Sequence, residues 1–330
     1  MKRILLINTG GTFSSRPGDR GLTPELSSQE IGRLLGGFDP GLSIQAEDYC
    51  SLDSSNITPD DWARLARRIG DQSGEVDGAV LIHGTDTMAY TASMLAFMLQ
   101  GIPIPVVLTG SQLPLGVPMS DAADNLRCAL HMAASGRGGV YVAFDRKIML
   151  GCRTSKVRTV SFNAFESINY PYVGEVNAFG LQLRLEPSPS RRPFRVETAY
   201  SDRIAVLKLF PGMDPDIFRF LQERGYEGIY IEGFGLGGVP FLKSDFTAEI
   251  RRASLSGLPI LVGSQCRYEG SNLSVYETGQ RILECGGIPV HDMTQEAVVA
   301  KLMWCLGQSK RREDVKRLFG ENLVEEVRIP

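Results

Sequence analysis

Apolar, strand-like runs alternate regularly with segments of helical periodicity along this sequence. In the first half of the chain, helix-like stretches separate apolar runs at 3–8, 42–47, 78–83, 105–109 and 138–144. Strands that alternate with helices are typical of parallel sheets with crossover helices. The dipeptide Asp145-Arg146 is predicted to turn the last run into a hairpin with 147–150. The first half therefore predicts an α/β architecture.

The alternation restarts after a stretch rich in proline and serine at 186–193, whose composition is typical of an exposed linker. Further apolar runs follow at 204–209, 228–232, 259–264 and 288–290. A chain of 330 residues is also longer than one ordinary hydrophobic core supports. We predict two doubly wound parallel-sheet domains, a larger N-terminal one at 1–185 and a smaller C-terminal one at 204–330, joined by a linker at 186–203.

Composition excludes several classes of function. The formal net charge of −3 gives no long-range attraction to nucleic acid or to anionic membranes. The N-terminus has no secretory signal pattern, and no apolar stretch is long enough to span a bilayer. The six cysteines have no CxxC pairing, which favours free thiols in the cytoplasm. The three histidines lie far apart in the sequence, so no zinc site is expected.

One glycine-rich motif raises the possibility of a dinucleotide site. The segment 233–238 reads GFGLGG and follows a predicted strand. The dinucleotide fingerprint also requires an acidic residue about 20 positions later, and the segment 257–264 contains none. A glycine-rich turn at the edge of a sheet is the preferred interpretation, and no cofactor is predicted.

Two threonine-bearing turns indicate covalent chemistry instead. Thr12 follows two glycines after the first strand, and Thr85 with Asp86 follows the strand at 78–83. Ligands of open parallel sheets bind beyond the carboxyl ends of the strands. Glycine there lets backbone N–H groups approach a substrate, and a threonine hydroxyl becomes a nucleophile once a base accepts its proton. Taken alone, the Thr12 turn is better explained by a threonine that caps a turn, and N-capping is the simple alternative for Thr85 and Asp86.

Lys156 supplies a candidate base for these hydroxyl groups. It ends the segment Arg-Thr-Ser-Lys that follows the predicted hairpin. A lysine partly withdrawn from water can lose its proton near neutral pH, and a neighbouring aspartate such as Asp86 would orient it. A Thr–Lys–Asp relay requires no histidine, metal or cofactor, although Lys156 alone is also consistent with a surface cation.

These segments together resemble the L-asparaginase family, and the later ones resemble its cytoplasmic type I branch. The resemblance extends from the first strand to the C-terminal helices. It rests on TGGTF at 9–13, DSS at 53–55, TPDDW at 58–62, HGTDTMAYTAS at 83–93, LTGSQLPL at 108–115, RTSK at 153–156, GSQC at 263–266 and YETG at 276–279.

The resemblance implies an amidohydrolase that converts L-asparagine to L-aspartate and ammonia, with minor glutaminase activity. Thr12 would attack the side-chain amide to form an acyl-enzyme, and Thr85, Asp86 and Lys156 would relay the proton. Backbone N–H groups near Gly11 and Thr85 would stabilise the oxyanion. The α-amino and α-carboxylate groups would be held by a set comprising Ser54 and Asp86, with Gly11, Asp53, Ser55 and Gly84 around them.

The chain also departs from the family pattern. The mobile loop after the first threonine, here at 12–24, usually carries a tyrosine near the position of Leu22. We expect Tyr276 to replace it, because the resemblance implies that this segment reaches a neighbouring protomer of a dimer or tetramer. Cys266 matches a cysteine of an allosteric asparagine site, but an arginine of that site is replaced near Glu232. Allostery is therefore left open.

Two alternatives remain from the sequence. The amidase subunit of a tRNA-dependent amidotransferase shares these motifs, but such subunits carry an additional N-terminal domain, whereas this sequence starts at the first strand. A non-catalytic amino-acid-binding protein is the second alternative, because loss of the loop tyrosine removes a hydrogen-bond donor.

Overall fold

The chain forms two compact units, Met1–Glu197 and Thr198–Pro330. The computed structural model describes residues 1–18, 21–34, 37, 39–185 and 192–329, but not the side chains of Pro17, Leu22 and Pro24. The predicted linker at 186–203 therefore lies partly outside the described residues. The α/β fold class predicted from the alternation is confirmed.

The first unit contains one large sheet and several helices. Its strands are β1 (Lys2–Gly10), β2 (Ser15–Gly18), β3 (Gly21–Pro24), β4 (Leu42–Leu52), β5 (Gly78–Ile82), β6 (Pro105–Thr109), β7 (Gly139–Phe144), β8 (Lys147–Leu150), β9 (Thr154–Lys156), β10 (Phe165–Ser167), β11 (Gly174–Asn177) and β12 (Gly180–Leu183). Its helices are α1 (Ser28–Leu34), α2 (Pro59–Gln72), α3 (Met88–Met98) and α4 (Ala122–Ala133).

The large sheet has the strand order β12-β11-β8-β7-β6-β5-β1-β4. The strands from β4 to β7 run parallel, and β5 and β6 are buried along their whole length. At β8 the chain reverses, because Asp145 and Arg146 adopt φ values of 49° and 61° in a two-residue turn. The remaining pairings are antiparallel, so the sheet has a parallel centre and one antiparallel side.

The prediction of a polar, glycine-rich loop up to Pro24 was wrong in part. A single 3-10 turn at Thr12–Ser14 leads into an antiparallel ladder between β2 and β3, with Ser15 opposite Pro24 and Gly18 opposite Gly21. This hairpin could not be predicted from the sequence, because its glycines and prolines interrupt any alternation of apolar and polar residues.

Helix α2 begins where the sequence signals a start. The Asp61 carboxylate accepts hydrogen bonds from the backbone N–H and the hydroxyl of Thr58, at 2.9 and 2.7 Å, and Pro59 occupies the first turn. These contacts satisfy groups that a helix N-terminus leaves free. Trp62 and Ile69 are buried at helical spacing, so this face of α2 packs into the core.

The second unit contains a four-stranded, fully parallel sheet in the order β13 to β16. Its strands are β13 (Ile204–Lys208), β14 (Gly228–Gly233), β15 (Ile260–Ser264) and β16 (Ile288–Pro289). Its helices are α5 (Ile217–Glu223), α6 (Phe246–Leu255), α7 (Glu277–Glu284), α8 (Gln295–Gln308) and α9 (Arg312–Phe319). The glycine-rich motif after β14 forms a tight turn, closed by paired hydrogen bonds of 2.8 Å between Phe234 and Gly238.

A fully buried ion pair ties the end of the chain to α8. The Lys301 ammonium donates to a Glu326 carboxylate oxygen at 2.6 Å and to the Glu321 carbonyl at 2.7 Å, and both charged side chains are inaccessible to solvent. The same ammonium lies 5.1 Å from the centre of the Phe319 ring. The Glu326 carboxylate also accepts the backbone N–H of Val324 at 2.8 Å. The pair therefore has polar and aromatic partners in place of water.

The sequence also predicted free thiols and no membrane-spanning segment. All six cysteines are free thiols. Among the helices in the described part of the chain, none is long and apolar enough to cross a bilayer.

Candidate active site

Three backbone segments meet at the carboxyl ends of neighbouring strands. Gly11 follows β1, Gly84 follows β5 and Ser54 follows β4, and these strands are adjacent in the order β4-β1-β5. A Cβ atom placed on Gly11 would lie 2.4 Å from the Gly84 Cα, and one placed on Gly84 would lie 2.6 Å from the Ser54 Oγ. No residue larger than glycine fits at either position, so Gly11 and Gly84 allow the three segments to touch.

The turn that carries Thr12 is held from several sides. The Gly11 N–H donates to the Leu52 carbonyl at 2.9 Å, and the Ser15 hydroxyl donates to the Gly11 carbonyl at 2.8 Å. Gly11 has a φ of 74°, a conformation that L side chains rarely adopt. Thr12 is half-buried and follows directly. The turn therefore places Thr12 directly after the residue that packs against Gly84.

The loop LTGSQLPL at 108–115 supports this turn. The Leu115 N–H donates to the Phe13 carbonyl at 3.0 Å. The Asp121 carboxylate accepts the N–H groups of Gln112 and Leu113 at 3.0–3.1 Å, which fixes the course of the loop. The Gln112 side chain donates to the Thr159 carbonyl at 3.0 Å. These bonds connect the Thr12 turn to a segment that begins three residues after Lys156.

Lys156 contacts both polar side chains of the second threonine motif. Its Nζ lies 2.7 Å from the Thr85 Oγ1 and 2.7 Å from an Asp86 Oδ1. The Lys156 side chain is 16% exposed, whereas that of Asp86 is 62% exposed. Thr85 is buried. The amine is therefore largely shielded while its carboxylate partner faces solvent, and the Thr–Lys–Asp contacts that the motifs indicate are present.

Lys156 is positioned by the short strand β9. Residue 156 pairs with Phe165 in the β9–β10 ladder, and the Thr154 hydroxyl donates to the Leu150 carbonyl at 2.7 Å. Arg153 is fully buried one turn earlier, 5.4 Å from the Tyr170 ring. The amine thus projects from a strand whose backbone is anchored by these contacts.

The segment after β4 offers hydrogen-bonding groups next to Gly84. Ser54 is buried, and its carbonyl accepts the Thr87 hydroxyl at 2.7 Å. The Ser55 hydroxyl and N–H donate to the Asp53 carboxylate at 2.6 and 2.8 Å. These two bonds lower the pKa of Asp53 below its usual value, and the positive charge of Lys156 adds to the effect. Asp53 therefore carries a negative charge that can meet an ammonium group.

His83 has a structural role that sequence reasoning missed. Its Nδ1 lies 2.7 Å from the Gly84 carbonyl, which only accepts hydrogen bonds, so Nδ1 carries the proton. Its Nε2 then accepts the Thr91 hydroxyl at 3.0 Å, and the Thr91 Oγ1 accepts the Trp62 N–H at 2.8 Å. Burial lowers the pKa of His83 to about 4, so the ring is neutral. This chain of bonds fixes the backbone of Gly84.

The sequence contains a partial signal for this role. A histidine that directly follows an apolar strand is often a core residue with satisfied hydrogen bonds. The contact between the Thr87 hydroxyl and the Ser54 carbonyl has no comparable signal, since the two residues lie 33 positions apart. Both contacts fix backbone rather than side chains.

Most of the sequence-predicted site residues lie together in the first unit. Hydrogen bonds or backbone contacts connect a set comprising Gly11, Asp53, Ser54, Ser55, Gly84, Thr85, Asp86 and Lys156, and Thr12 follows Gly11. Tyr276 lies in the second unit, directly before α7, and is 62% exposed. Its expected role stays a prediction. The Leu22 side chain lies outside the described residues.

Two further expectations concern effectors and metals. Cys266 is exposed, and its N–H donates to the Ser264 hydroxyl at 2.9 Å. An effector site there stays a prediction. Across the described ranges, no group of three or more His, Cys, Asp or Glu side chains is arranged to hold a metal ion.

Comparison with known proteins relates both units to one family. Residues 3–189 match the family model "Asparaginase, N-terminal", and residues 203–319 match "Glutaminase/Asparaginase C-terminal domain". The chain is 40% identical over 326 residues to an L-asparaginase from Thermococcus kodakarensis, covering 98% of this chain and 99% of that protein. A solved structure of the thermostable L-asparaginase from the same organism superimposes with a TM-score of 0.94 at 39% identity, over 99% of this chain and 100% of that one.

The similarity also extends to a bacterial asparaginase and to an amidotransferase component. The crystal structure of L-asparaginase I from Vibrio cholerae matches with a TM-score of 0.90 at 32% identity, over 99% of each chain. One component of the glutamyl-tRNA(Gln) amidotransferase from Thermofilum pendens is 34% identical over 341 residues, which cover 98% of this chain and 75% of that protein.

Proposed function

This chain belongs to the asparaginase family and is a hydrolase of that family, and from this premise we propose that it hydrolyses L-asparagine to L-aspartate and ammonia through an ester intermediate on Thr12. The strongest support is the position of the Lys156 Nζ, 2.7 Å from both the Thr85 Oγ1 and an Asp86 Oδ1. An amine, a hydroxyl and a carboxylate in contact form a proton relay that needs no metal or cofactor.

In the acylation step, the Thr12 hydroxyl oxygen attacks the amide carbon of the substrate side chain. Its proton leaves toward the relay and is delivered to the amide nitrogen, so that ammonia departs and an aspartyl ester of Thr12 remains. Backbone N–H groups beside Gly11 and Thr85 stabilise the charge on the tetrahedral oxygen.

In the deacylation step, water replaces ammonia as the reacting group. The Lys156 amine, when deprotonated, accepts a proton through the Thr85 hydroxyl from a water that attacks the ester carbonyl. Asp86 stabilises the resulting ammonium at 2.7 Å. The ester bond then breaks, Thr12 recovers its proton, and L-aspartate leaves.

The substrate head group matches the Asp53–Ser55 segment and Asp86. The Asp53 carboxylate, kept ionised by its bonds to Ser55, and the exposed Asp86 carboxylate attract the α-ammonium group. The Ser54 hydroxyl adjoins Gly84 and is a donor for the α-carboxylate. A zwitterionic head requires both kinds of group, and this segment supplies both.

Ammonia release by purified variants tests the proposal. We expect Thr12→Ala to remove turnover and to abolish the mass increase of one aspartyl group seen after rapid acid quenching with asparagine. We expect Thr85→Val to slow turnover by roughly 10²–10⁴-fold, the range of general acid–base contributions. Thr198→Ala, a half-buried threonine of the second unit, serves as the matched control. Undiminished ammonia release by Thr12→Ala would overturn the mechanism.

The similarity to an amidotransferase component supports a second candidate, an amidase that passes ammonia to a tRNA-dependent partner. The two functions differ in what the isolated chain does. We expect full turnover of free asparagine without added tRNA or protein. Turnover that appears only with glutamyl-tRNA and a partner protein would favour the second candidate.

Three finer properties complete the proposal. Glutamine differs from asparagine by one methylene, which changes preference by about 1–3 kcal/mol, so minor glutaminase activity is expected in a side-by-side assay. We propose a cytoplasmic homo-oligomer in which Tyr276 of one protomer serves the site of another. Mixed oligomers of Thr12→Ala and Tyr276→Phe chains should then show activity that neither homo-oligomer has.

A further inference from the structure

Asn8 lies near the end of β1, and only 3% of its surface is exposed. An asparagine amide offers two N–H donors and an oxygen that accepts two hydrogen bonds. The Asn8 Nδ2 donates to the Leu26 carbonyl at 2.9 Å and to an Asp48 carboxylate oxygen at 3.0 Å. The Oδ1 accepts the Gly10 N–H at 3.1 Å and the Ser14 hydroxyl at 2.9 Å. Every hydrogen-bonding position of this amide is therefore used.

The orientation of the Asn8 amide is fixed by its partners. A backbone carbonyl only accepts hydrogen bonds, whereas a backbone N–H only donates. Rotation of the amide by half a turn would place its nitrogen against the Gly10 N–H and its oxygen against the Leu26 carbonyl. The amide oxygen therefore stays on the side of the turn that follows β1.

This oxygen joins both ends of the turn that carries Thr12. Gly10 precedes Thr12 by two residues and Ser14 follows it by two, and both donate to the Asn8 Oδ1. The pairing of β1 with β4 is irregular between Asn8 and Gly10, where Gly10 adopts a φ of 98°. A side-chain acceptor thus holds the Gly10 N–H where the regular ladder is interrupted. The backbone of Thr12 lies in a loop that is fixed at both ends to a single atom.

The amide nitrogen ties the same point to the segment that follows the β2–β3 hairpin. The Leu26 carbonyl is one of its acceptors, and the Leu26 N–H donates to the Ser14 carbonyl at 2.8 Å. Asp48, its other acceptor, also accepts the Ser28 N–H at 2.8 Å, where α1 begins. One buried amide therefore connects β1, the turn, the exit of the hairpin and the start of α1.

We propose that Asn8 is a positioning residue that sets the place of the Thr12 hydroxyl for attack on the substrate amide, an inference that rests on the proposed function. A nucleophile reacts efficiently only when its oxygen is held about 3–3.5 Å from the target carbon, and a displacement of about 1 Å costs about 10²-fold in rate. Asn8 acts through the backbone on both sides of Thr12. Because the bonds of its amide go to other residues, the head-group segment at 53–55 is fixed independently of it.

The rate of ester formation and the affinity for the product separate positioning from a general loss of structure. We expect Asn8→Ala to slow formation of the aspartyl ester by about 10²-fold, as measured by rapid acid quenching and mass spectrometry. The Kd for L-aspartate, measured by isothermal titration calorimetry, should stay within about threefold of the wild type. A loss of rate without a loss of binding identifies an interaction that acts during the reaction itself.

A milder variant and a matched control accompany this substitution. Asn8→Ala leaves the buried Gly10 N–H without a partner, whereas Ser14→Ala removes only one bond of the Asn8 oxygen. We expect Ser14→Ala to slow ester formation by roughly three- to tenfold, the equivalent of one neutral hydrogen bond. Asn177 also accepts the N–H two residues later, that of Phe179 at 2.8 Å, but in an exposed turn. Asn177→Ala should therefore form the ester at the wild-type rate.

Hydrogen exchange gives a readout that does not depend on turnover. We expect the backbone amides of the segment 9–14 to exchange faster in Asn8→Ala than in the wild type, because the Gly10 N–H loses its acceptor. The amides of β5 and β6 should exchange as in the wild type. The same pattern, with a smaller increase, is expected for Ser14→Ala.

The outcomes distinguish this inference from the proposed function. If ester formation depends on Thr12 but keeps its wild-type rate in Asn8→Ala and in Ser14→Ala, the positioning role of Asn8 is wrong and the proposed reaction stands. A fall in L-aspartate affinity as large as the fall in rate would also contradict the positioning role. If the wild type forms no ester on Thr12, the proposed function fails first, and hydrogen exchange at 9–14 still shows whether Asn8 holds the turn.

Discussion

Two lysine–carboxylate pairs in this chain have nearly the same geometry and opposite surroundings. The Lys156–Asp86 pair spans 2.7 Å with 16% and 62% of the side chains exposed, whereas the Lys301–Glu326 pair spans 2.6 Å with neither exposed. The buried pair has a carbonyl, backbone N–H groups and an aromatic ring around it. The other pair has the Thr85 hydroxyl on one side and solvent on the other.

Distance alone therefore does not define the role of an ion pair. Removal from water costs several kcal/mol per charge, and a buried pair survives only when each charge has enough partners. Lys301 and Glu326 meet this condition and lock the chain end. A proton relay needs the opposite, a partner that can change during turnover. In the proposed mechanism the Lys156 pair meets that need, because Asp86 faces solvent.

Replacement of Lys156 tests the functional side of the comparison most strongly. We expect Lys156→Met to lower kcat for ammonia release by roughly 10²–10⁴-fold, because the base of the relay is lost. The free energy of unfolding in urea should change by less than about 1 kcal/mol, since Asp86 is left in water rather than buried. Lys147→Met breaks a lysine–aspartate pair of 3.3 Å in the β7–β8 turn and should leave kcat unchanged. A kcat within threefold of wild type in Lys156→Met would contradict the comparison.

Replacement of Lys301 should produce the reverse result. We expect Lys301→Met to lower the free energy of unfolding by about 3–5 kcal/mol, because Glu326 is left charged, buried and without its cation. The kcat of the folded fraction should match the wild type. Lys310→Met, which breaks an exposed pair with Glu227, is the matched control. A loss below about 1 kcal/mol in urea unfolding would show that the buried pair is not held as described.

His83 extends the comparison to a buried group that stays neutral. Its pKa is about 4 in the folded chain against an ordinary 6.5, so the unfolded state binds a proton first as the pH falls. This group should therefore lower stability by about 3 kcal/mol between pH 6.5 and pH 4, with no further loss below that range. We expect the wild type to lose its stability advantage over His83→Gln across this window in urea unfolding. A difference that does not vary with pH would contradict the buried, neutral ring.

The smallest effect is expected for an exposed pair on α7. Arg281 contacts the Glu277 carboxylate at 2.7 and 3.0 Å, four residues away on the helix surface, with 46% and 69% of the two side chains exposed. A double-mutant cycle with Glu277→Gln and Arg281→Gln should give a coupling free energy of about 0.3–0.5 kcal/mol. The coupling should fall at high salt. A coupling free energy above about 2 kcal/mol would contradict the expectation that exposed ion pairs contribute little to stability.

Much of the fold could be predicted because periodicity and apolar runs are local properties. The predicted strand at 105–109 and the hairpin strand at 147–150 coincide with β6 and β8. Short strands such as β9 and β11 were not predicted, because three or four residues carry no period. The β2–β3 hairpin was missed because its ladder contains prolines and glycines.

The candidate site was predictable in part for a different reason. Motifs point to side chains with candidate chemical roles, so Thr12, Thr85 and Lys156 could be proposed from the sequence. Backbone positioning depends on the three-dimensional arrangement, so the hydrogen bonds of His83 to Gly84 and of Thr87 to Ser54 could not be predicted from the sequence. The role of Tyr276 depends on a second protomer and stays a prediction.

The contact of Gly11, Gly84 and Ser54 has a consequence for how this site can change over generations. Two of its three members offer no side chain to trim or enlarge, and the smallest substitution at Gly11 would press a methyl group into the backbone of Gly84. Specificity for a different amide substrate therefore cannot evolve by stepwise enlargement of the side chains at Gly11 and Gly84. Selection must act on the surrounding walls, and libraries that aim to redirect the enzyme should leave these glycines untouched.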